Sequence, residues 1–170
     1  DRRYNTGFFG LEKKWHPFDT QKFARAWKKL RAATGGRCEA LLVRVPREIT
    51  DDELASVHSA DYLASLRQAA NVARIVEVPM LAQFPAWTID KLLLGPMRRA
   101  CYGTVLSARA TLDDGFVFNL GGGFHHAKPS RGEGFCVYND VAVAVALLRL
   151  DGLLADAARV AYIDLDVHQG

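Results

Sequence analysis

An α/β fold, with a largely parallel sheet flanked by helices, is predicted for this chain by three features of its sequence. Two β-branched, strand-like runs, Phe116–Leu120 and Arg159–Ile163, each lead directly into a polar cluster. After the first comes Leu120-Gly-Gly-Gly-Phe-His125-His126, and after the second Asp164-Leu-Asp166-Val-His168. Between them lies Asn139–Leu150, apolar nearly all round, as befits a helix buried in the core layer of an α/β protein. If the two runs are neighbouring parallel strands, both clusters emerge at the carboxyl edge of the sheet, where open α/β sheets place their ligands.

The elements follow in chain order. Asp19 or Thr20 caps a helix through about Ala33, with Phe23, Ala26, Trp27 and Leu30 on one face at helical spacing. Gly35-Gly36 ends it, and Leu41–Val45 follows as a strand stopped by Pro46. Thr50-Asp-Asp-Glu53 has the capping-box pattern and opens a short helix through Val57. Ser59 or Asp61 caps the next helix, whose Tyr62, Leu63, Leu66 and Ala69 turn inward. Glu77–Ala86 holds two prolines and is predicted to be an ordered loop. Ile89–Thr111 is helical, with Pro96 marking a kink or break, and Asp113-Asp-Gly115 turns into the strand Phe116–Leu120. Val141, Val143 and Val145 alternate with alanine as in a strand, but the length and the cap at Asn139 or Asp140 favour a helix. Between Gly121 and Gly134 runs a loop with five glycines and Pro129. Loops of this kind, held on a rigid scaffold, commonly carry chemistry.

Bulk properties restrict the function. The chain has 170 residues, 49% hydrophobic and 24% charged, enough for one globular domain with a sizeable core. The net charge of +3 is small, and the one basic concentration, Lys22–Arg31, is the wet face of a helix, so direct nucleic-acid binding is not expected. The longest apolar run, Val141–Leu148, is too short to span a bilayer, no signal peptide is legible, and no membrane association is expected. Three irregularly spaced cysteines fit a reducing compartment, the cytoplasm or, in a eukaryotic cell, the nucleus.

The chemistry lies in the two clusters. An isolated His-His pair ordinarily does no more than satisfy a loop. Three preceding glycines change that, because glycine serves where the backbone must bend sharply or let another group approach. Histidine titrates near neutrality, so His125 and His126 can divide base and acid duties. In Asp164-x-Asp166-x-His168, alternate residues at a strand end share a face. Asp166 and His168 are candidate metal ligands, and Asp164 can orient a histidine. An oxygen-plus-nitrogen set suits zinc, with iron, cobalt or manganese also compatible. Phe135 reads ambiguously, with plain core as one reading, and Cys136 is a small buried hydrophobe rather than a nucleophile. His16, His58, Trp15, Trp27 and Trp87 are read as structural.

Together, the segments Leu120–Lys128 (LGGGFHHAK), Gly134–Asp140 (GFCVYND) and Val160–Gly170 (VAYIDLDVHQG) resemble the histone deacetylase family. Gly10–Asp19 (GLEKKWHPFD) and Val57–Leu63 (VHSADYL) are similar to its class IV branch. The resemblance implies an arginase/deacetylase-type fold, with residues 1–170 as the N-terminal portion of a single catalytic domain. It implies zinc-dependent hydrolysis of acyl-lysine in a protein or peptide, or of a small acylated amine such as an acetylpolyamine. His126 would be the general base, and His125, held by Asp164, would support proton transfer. Asp166 and His168 would be two of three metal ligands, and Gly123, Gly134 and Phe135 would line the substrate tunnel. A structural potassium ion would touch Asp164, Asp166 and the His168 backbone. The family's third ligand, an aspartate, and its oxyanion tyrosine would fall beyond Gly170, so the chain alone is expected to be inactive. Two rivals are a two-manganese ureohydrolase, disfavoured because Gly170 stands where a further aspartate is wanted, and a non-catalytic acyl-lysine-binding fragment.

Overall fold

The computed structural model describes residues 22–170. The proposed caps Asp19 and Thr20, together with Trp15, His16 and the Gly10–Asp19 segment, lie outside the described residues.

Seven α-helices carry the fold among the described residues: α1 (Lys22–Ala33), α2 (Asp51–Leu54), α3 (Ala60–Ser65), α4 (Ala69–Ile75), α5 (Ala86–Ile89), α6 (Gly95–Asp114) and α7 (Asp140–Leu150). The capping box forms as its sequence requires: Thr50 accepts from Glu53 N, and the Glu53 carboxylate accepts from Thr50 N at 2.9 Å. Ser59 caps α3 by accepting from Tyr62 N, and Asn139 caps α7 by accepting from Ala142 N. The segment expected as one helix from Ser59 divides into α3 and α4, with Ala69 at the start of the second. The loop expected over Glu77–Ala86 contains a 3-10 helix, Pro79–Gln83. Pro96 acts as expected: it lacks an N–H and crowds the preceding turn, and the chain passes through a π-helical turn, Asp90–Leu94, before α6 begins.

The core joins α4, α6 and α7 to the segment entering α7. Val72, Ile75, Cys101, Val105, Val137 and Val143 are fully buried and belong to one cluster. The Tyr62 hydroxyl crosses that core to donate to Val137 O at 2.7 Å. By contrast, α1 buries no residue, so its expected apolar face remains only partly covered. No helix among the described residues is long and apolar enough to cross a membrane.

The parallel sheet is not confirmed among the described residues. None of the three expected strands forms a ladder, and the only β-pairings among the described residues are isolated bridges, Lys128 with Arg131 and Glu133 with Cys136. A 3-10 turn, Arg37–Leu41, enters the first run, and Phe116–Leu120 and Arg159–Ile163 are irregular. The physical reason is that strand preference is mostly a fit to a pleated, half-buried surface, and a strand holds only when paired. Here Phe116 and Ile163 are each 79% exposed, with no neighbouring ladder among the described residues.

Two groups make this fold acid-sensitive. Glu53 accepts both Arg47 N–H groups at 2.7 Å, which holds its carboxyl down at about 2. Burial pushes His58 below the ordinary imidazole range. Both folded values are depressed, so both contributions are present above the unfolded values and are lost as pH falls. Melting temperature should therefore decline first below about pH 6.5, through His58, and again from about 4.5 toward 2, through Glu53. Thermal unfolding across pH 8 to 3 checks this: His58→Gln should flatten the first decline and Glu53→Gln the second. Unchanged profiles would remove these residues as the cause.

Candidate active site

Although no β-ladder forms among the described residues, the two clusters meet. The ring of His125 places Nδ1 2.7 Å from Asp164 Oδ2, and its Nε2 lies 3.9 Å from Asp166 Oδ1. His126 stands beside it, ring centroids 4.1 Å apart, and the ring of His168 is 6.1 Å from that of His126. All five polar residues picked out by the sequence thus share one locality.

Local backbone turns hold the acidic limb. Asp166 N donates to Asp164 Oδ1 at 2.9 Å, and His168 N and Nδ1 both approach Asp166 Oδ1, at 2.8 and 2.9 Å. The Asp166 N–H first, and then His125, hold the Asp164 carboxyl below the usual carboxylate range. The His168 N–H and ring do the same for Asp166. Both carboxyls are therefore anionic at neutral pH. An ionised carboxylate only accepts, so Nδ1 of His125 carries the proton toward Asp164 and Nε2 is left for chemistry.

The histidine limb is seated by its loop. Gly134, at φ 53°, lies so close to His126 that a Cβ there would stand 2.6 Å from the ring's Cδ2. Gly123 is exposed, on the approach to the pair. Phe135 is different: it takes φ 65°, donates its N–H to Ile75 O at 3.1 Å and packs partly buried against the core. A left-handed conformation at a phenylalanine is strained and is held only where its surroundings demand it. Burial pushes the Cys136 thiol up to about 11, so it is no nucleophile at neutral pH.

Two residues that position the loop were not legible as such. His58, expected to be structural, is buried, with Nδ1 3.1 Å from Lys128 O and Nε2 accepting from Asn139 N at 3.0 Å. Asp140, expected only as an alternative cap, is fully buried and bonded to the backbone just before His125. Its one signal was the Asn-Asp pair at the helix start, since a helix needs a single cap and the second residue is free for other work.

A catalytic zinc takes three protein ligands. Asp166 and His168 offer an oxygen and a nitrogen, but among the described residues no group of three His, Cys, Asp or Glu is arranged to hold a metal. The described residues by themselves do not complete such a site.

Known proteins agree with the site's composition. The model of the histone deacetylase domain matches residues 16–170. "Histone deacetylase 2" of Arabidopsis thaliana is 41% identical over 169 residues, covering 98% of this chain and 42% of that protein. "Acetoin utilization protein AcuC" of Bacillus subtilis is 31% identical over 175 residues, covering 98% of this chain and 42% of its own. The Staphylococcus xylosus protein of the same name is 30% identical over 159 residues, 91% and 40% respectively. This chain thus spans less than half the length of these curated relatives. The domain match includes the histidine pair, the Asp-x-Asp-x-His limb and the glycine loop joining them, and the chain belongs to the histone deacetylase family.

Proposed function

We propose that this chain is the amino-terminal portion of a single class IV-type deacetylase domain, and that the whole protein hydrolyses the amide of acyl-lysine in a protein or peptide. The observation that carries the reading is the 2.7 Å contact of His125 Nδ1 with Asp164, with the His126 ring directly beside it. Amide hydrolysis needs a base to take a proton from attacking water and an acid to return one to the leaving nitrogen. In this assignment His126 takes the water proton as the oxygen bonds to the acyl carbon. His125, its Nδ1 anchored on anionic Asp164, stabilises the charge that builds up. The C–N bond then breaks, the nitrogen receives a proton from the histidine pair, and lysine and a carboxylate leave. Gly123, Gly134 and Phe135 border the acyl-lysine stem.

In the whole protein Asp166 and His168 would be two of three ligands to zinc or a related divalent transition metal, which would supply Lewis-acid polarisation of the carbonyl. A potassium ion near Asp164 and Asp166 belongs to the same assignment. The cytoplasm, or the nucleus, suits such a substrate. The chain alone, in which Asp166 and His168 are the donors assigned to the metal, should be catalytically silent.

The test is hydrolysis by the whole protein, purified with zinc, of acetyl- and longer acyl-lysine peptides and of acetylpolyamine, before and after chelation. Chelator-sensitive release of the acid from a lysine peptide is expected. A folded, zinc-loaded protein that leaves acyl-lysine intact would refute the assignment; cleavage of acetylpolyamine alone would move it to small amines. Phe135→Ala should raise KM for acyl-lysine about tenfold by removing apolar contact with the stem, leaving metal content unchanged. Unaltered kinetics would make Phe135 core only.

A further inference from the structure

We propose that Asp140 is a positioning residue for the paired histidines, fixing the backbone immediately before His125. Its carboxylate is fully buried. Oδ1 accepts the Phe124 N–H at 2.7 Å, and Oδ2 accepts the Gly123 N–H at 2.9 Å and the Thr104 hydroxyl at 2.6 Å. Burying a carboxylate is costly unless it is richly hydrogen-bonded, and these three donors meet that cost.

Helix capping does not explain the residue, because Asn139 already performs it, accepting from Ala142 N at 3.0 Å. Asp140 instead turns away from its own helix onto a loop distant in sequence. The fit there is close. At Gly122, φ 109°, a Cβ would overlap Asp140 Oδ2 and come within 2.6 Å of Thr104 Oγ1. The arrangement extends into α6: Asn119 Nδ2 donates to Thr104 Oγ1 at 2.9 Å, and its Oδ1 accepts from Gly121 N at 3.1 Å.

The far side of the histidine pair is held from the same place. Asn139 Nδ2 donates to Ala127 O at 2.8 Å, and His58 Nδ1, its other nitrogen engaged by Asn139 N–H, reaches Lys128 O. Asp140 therefore pins residues 123–124, Asn139 pins Ala127 directly and Lys128 is held through His58, and the imidazoles lie between the pins. A displacement of about 1 Å in a reacting group can cost on the order of 10²-fold in rate. That sensitivity gives a buried clamp of this kind its use.

The kinetic part of this inference rests on the reading of His125 and His126 as the acid–base pair; the exchange part does not. In the whole protein, amide hydrogen exchange at Gly123 and Phe124 is measured first. Gly123 is exposed, so its N–H should exchange freely unless Asp140 holds it. Protection of about 100-fold or more at both amides is expected; free exchange at both would overturn the proposal even if no variant folds. Asp140→Asn keeps the shape but replaces one acceptor oxygen with an NH2 group. Thr104→Val removes the third donor and leaves both backbone contacts. Both variants should melt lower, but only Asp140→Asn should lose the amide protection and lower kcat, by about 10–100-fold with KM within about twofold. Equal kcat in the two folded variants would reduce Asp140 to a stabilising role. If the whole protein hydrolyses no amide, the functional reading fails, while exchange in the two variants still decides whether Asp140 holds this loop.

Discussion

Replacing Asp164 with asparagine in the whole protein is expected to lower turnover on acyl-lysine by about 10²–10⁴-fold. The carboxylate is the acceptor for His125 Nδ1 at 2.7 Å, and it also takes the Asp166 N–H at 2.9 Å. Asparagine keeps that backbone contact through its oxygen and turns its NH2 group toward the ring. Facing a donor, Nδ1 must become the acceptor, so the proton moves to Nε2, the nitrogen that the chemistry needs. The negative charge opposite a developing imidazolium is lost as well. Zinc content should hold, because Asp164 is not assigned as a zinc ligand. Kinetics together with metal analysis check this: near-normal turnover would remove Asp164 from the machinery, and loss of metal with turnover would recast it as a ligand.

The second large effect is on stability. Gly122→Ala should destabilise the protein by about 2–6 kcal/mol, combining a backbone conformation that L residues rarely adopt with overpacking against a buried carboxylate. At φ 109° an added methyl overlaps Asp140 Oδ2 and crowds Thr104 Oγ1. The carboxylate cannot retreat without releasing the Gly123 and Phe124 amides. A fall in melting temperature on the order of 10 °C is expected by calorimetry. An unchanged melting temperature would show that the loop does not lie against Asp140.

How much of this was legible in the sequence differs by element. Helix boundaries governed by local chemistry were readable: Thr50 and Glu53 form their capping box, Asn139 caps α7, and Pro96 breaks the helical ladder at a π-helical turn. The polar cluster was readable because glycine-flanked histidines and an Asp-x-Asp-x-His run have few structural uses. The strands are not confirmed among the described residues. Phe116–Leu120 and Arg159–Ile163 have strand composition, but a ladder depends on what lies alongside, which composition does not encode. The meeting of His125 with Asp164 nevertheless survives without the sheet, since turn bonds and the clamp from α7 hold the two limbs. The long-range contacts of Asp140 and His58 escaped the sequence reading for one reason. Each acts on backbone far away in sequence, through contacts to Phe124 and Lys128 that no local pattern records.

The central claim, that the histidine pair supplies the acid–base chemistry of an amide hydrolase, is tested most directly at His126. The measurement is kcat of the His126→Ala whole protein on an acetyl-lysine peptide, made beside the unsubstituted protein with zinc content and melting temperature recorded for both. The expected result is a kcat 10²–10⁴-fold lower, the range typical of general base catalysis, at similar zinc content and stability. A folded, zinc-loaded His126→Ala protein turning over at near the unsubstituted rate would contradict it.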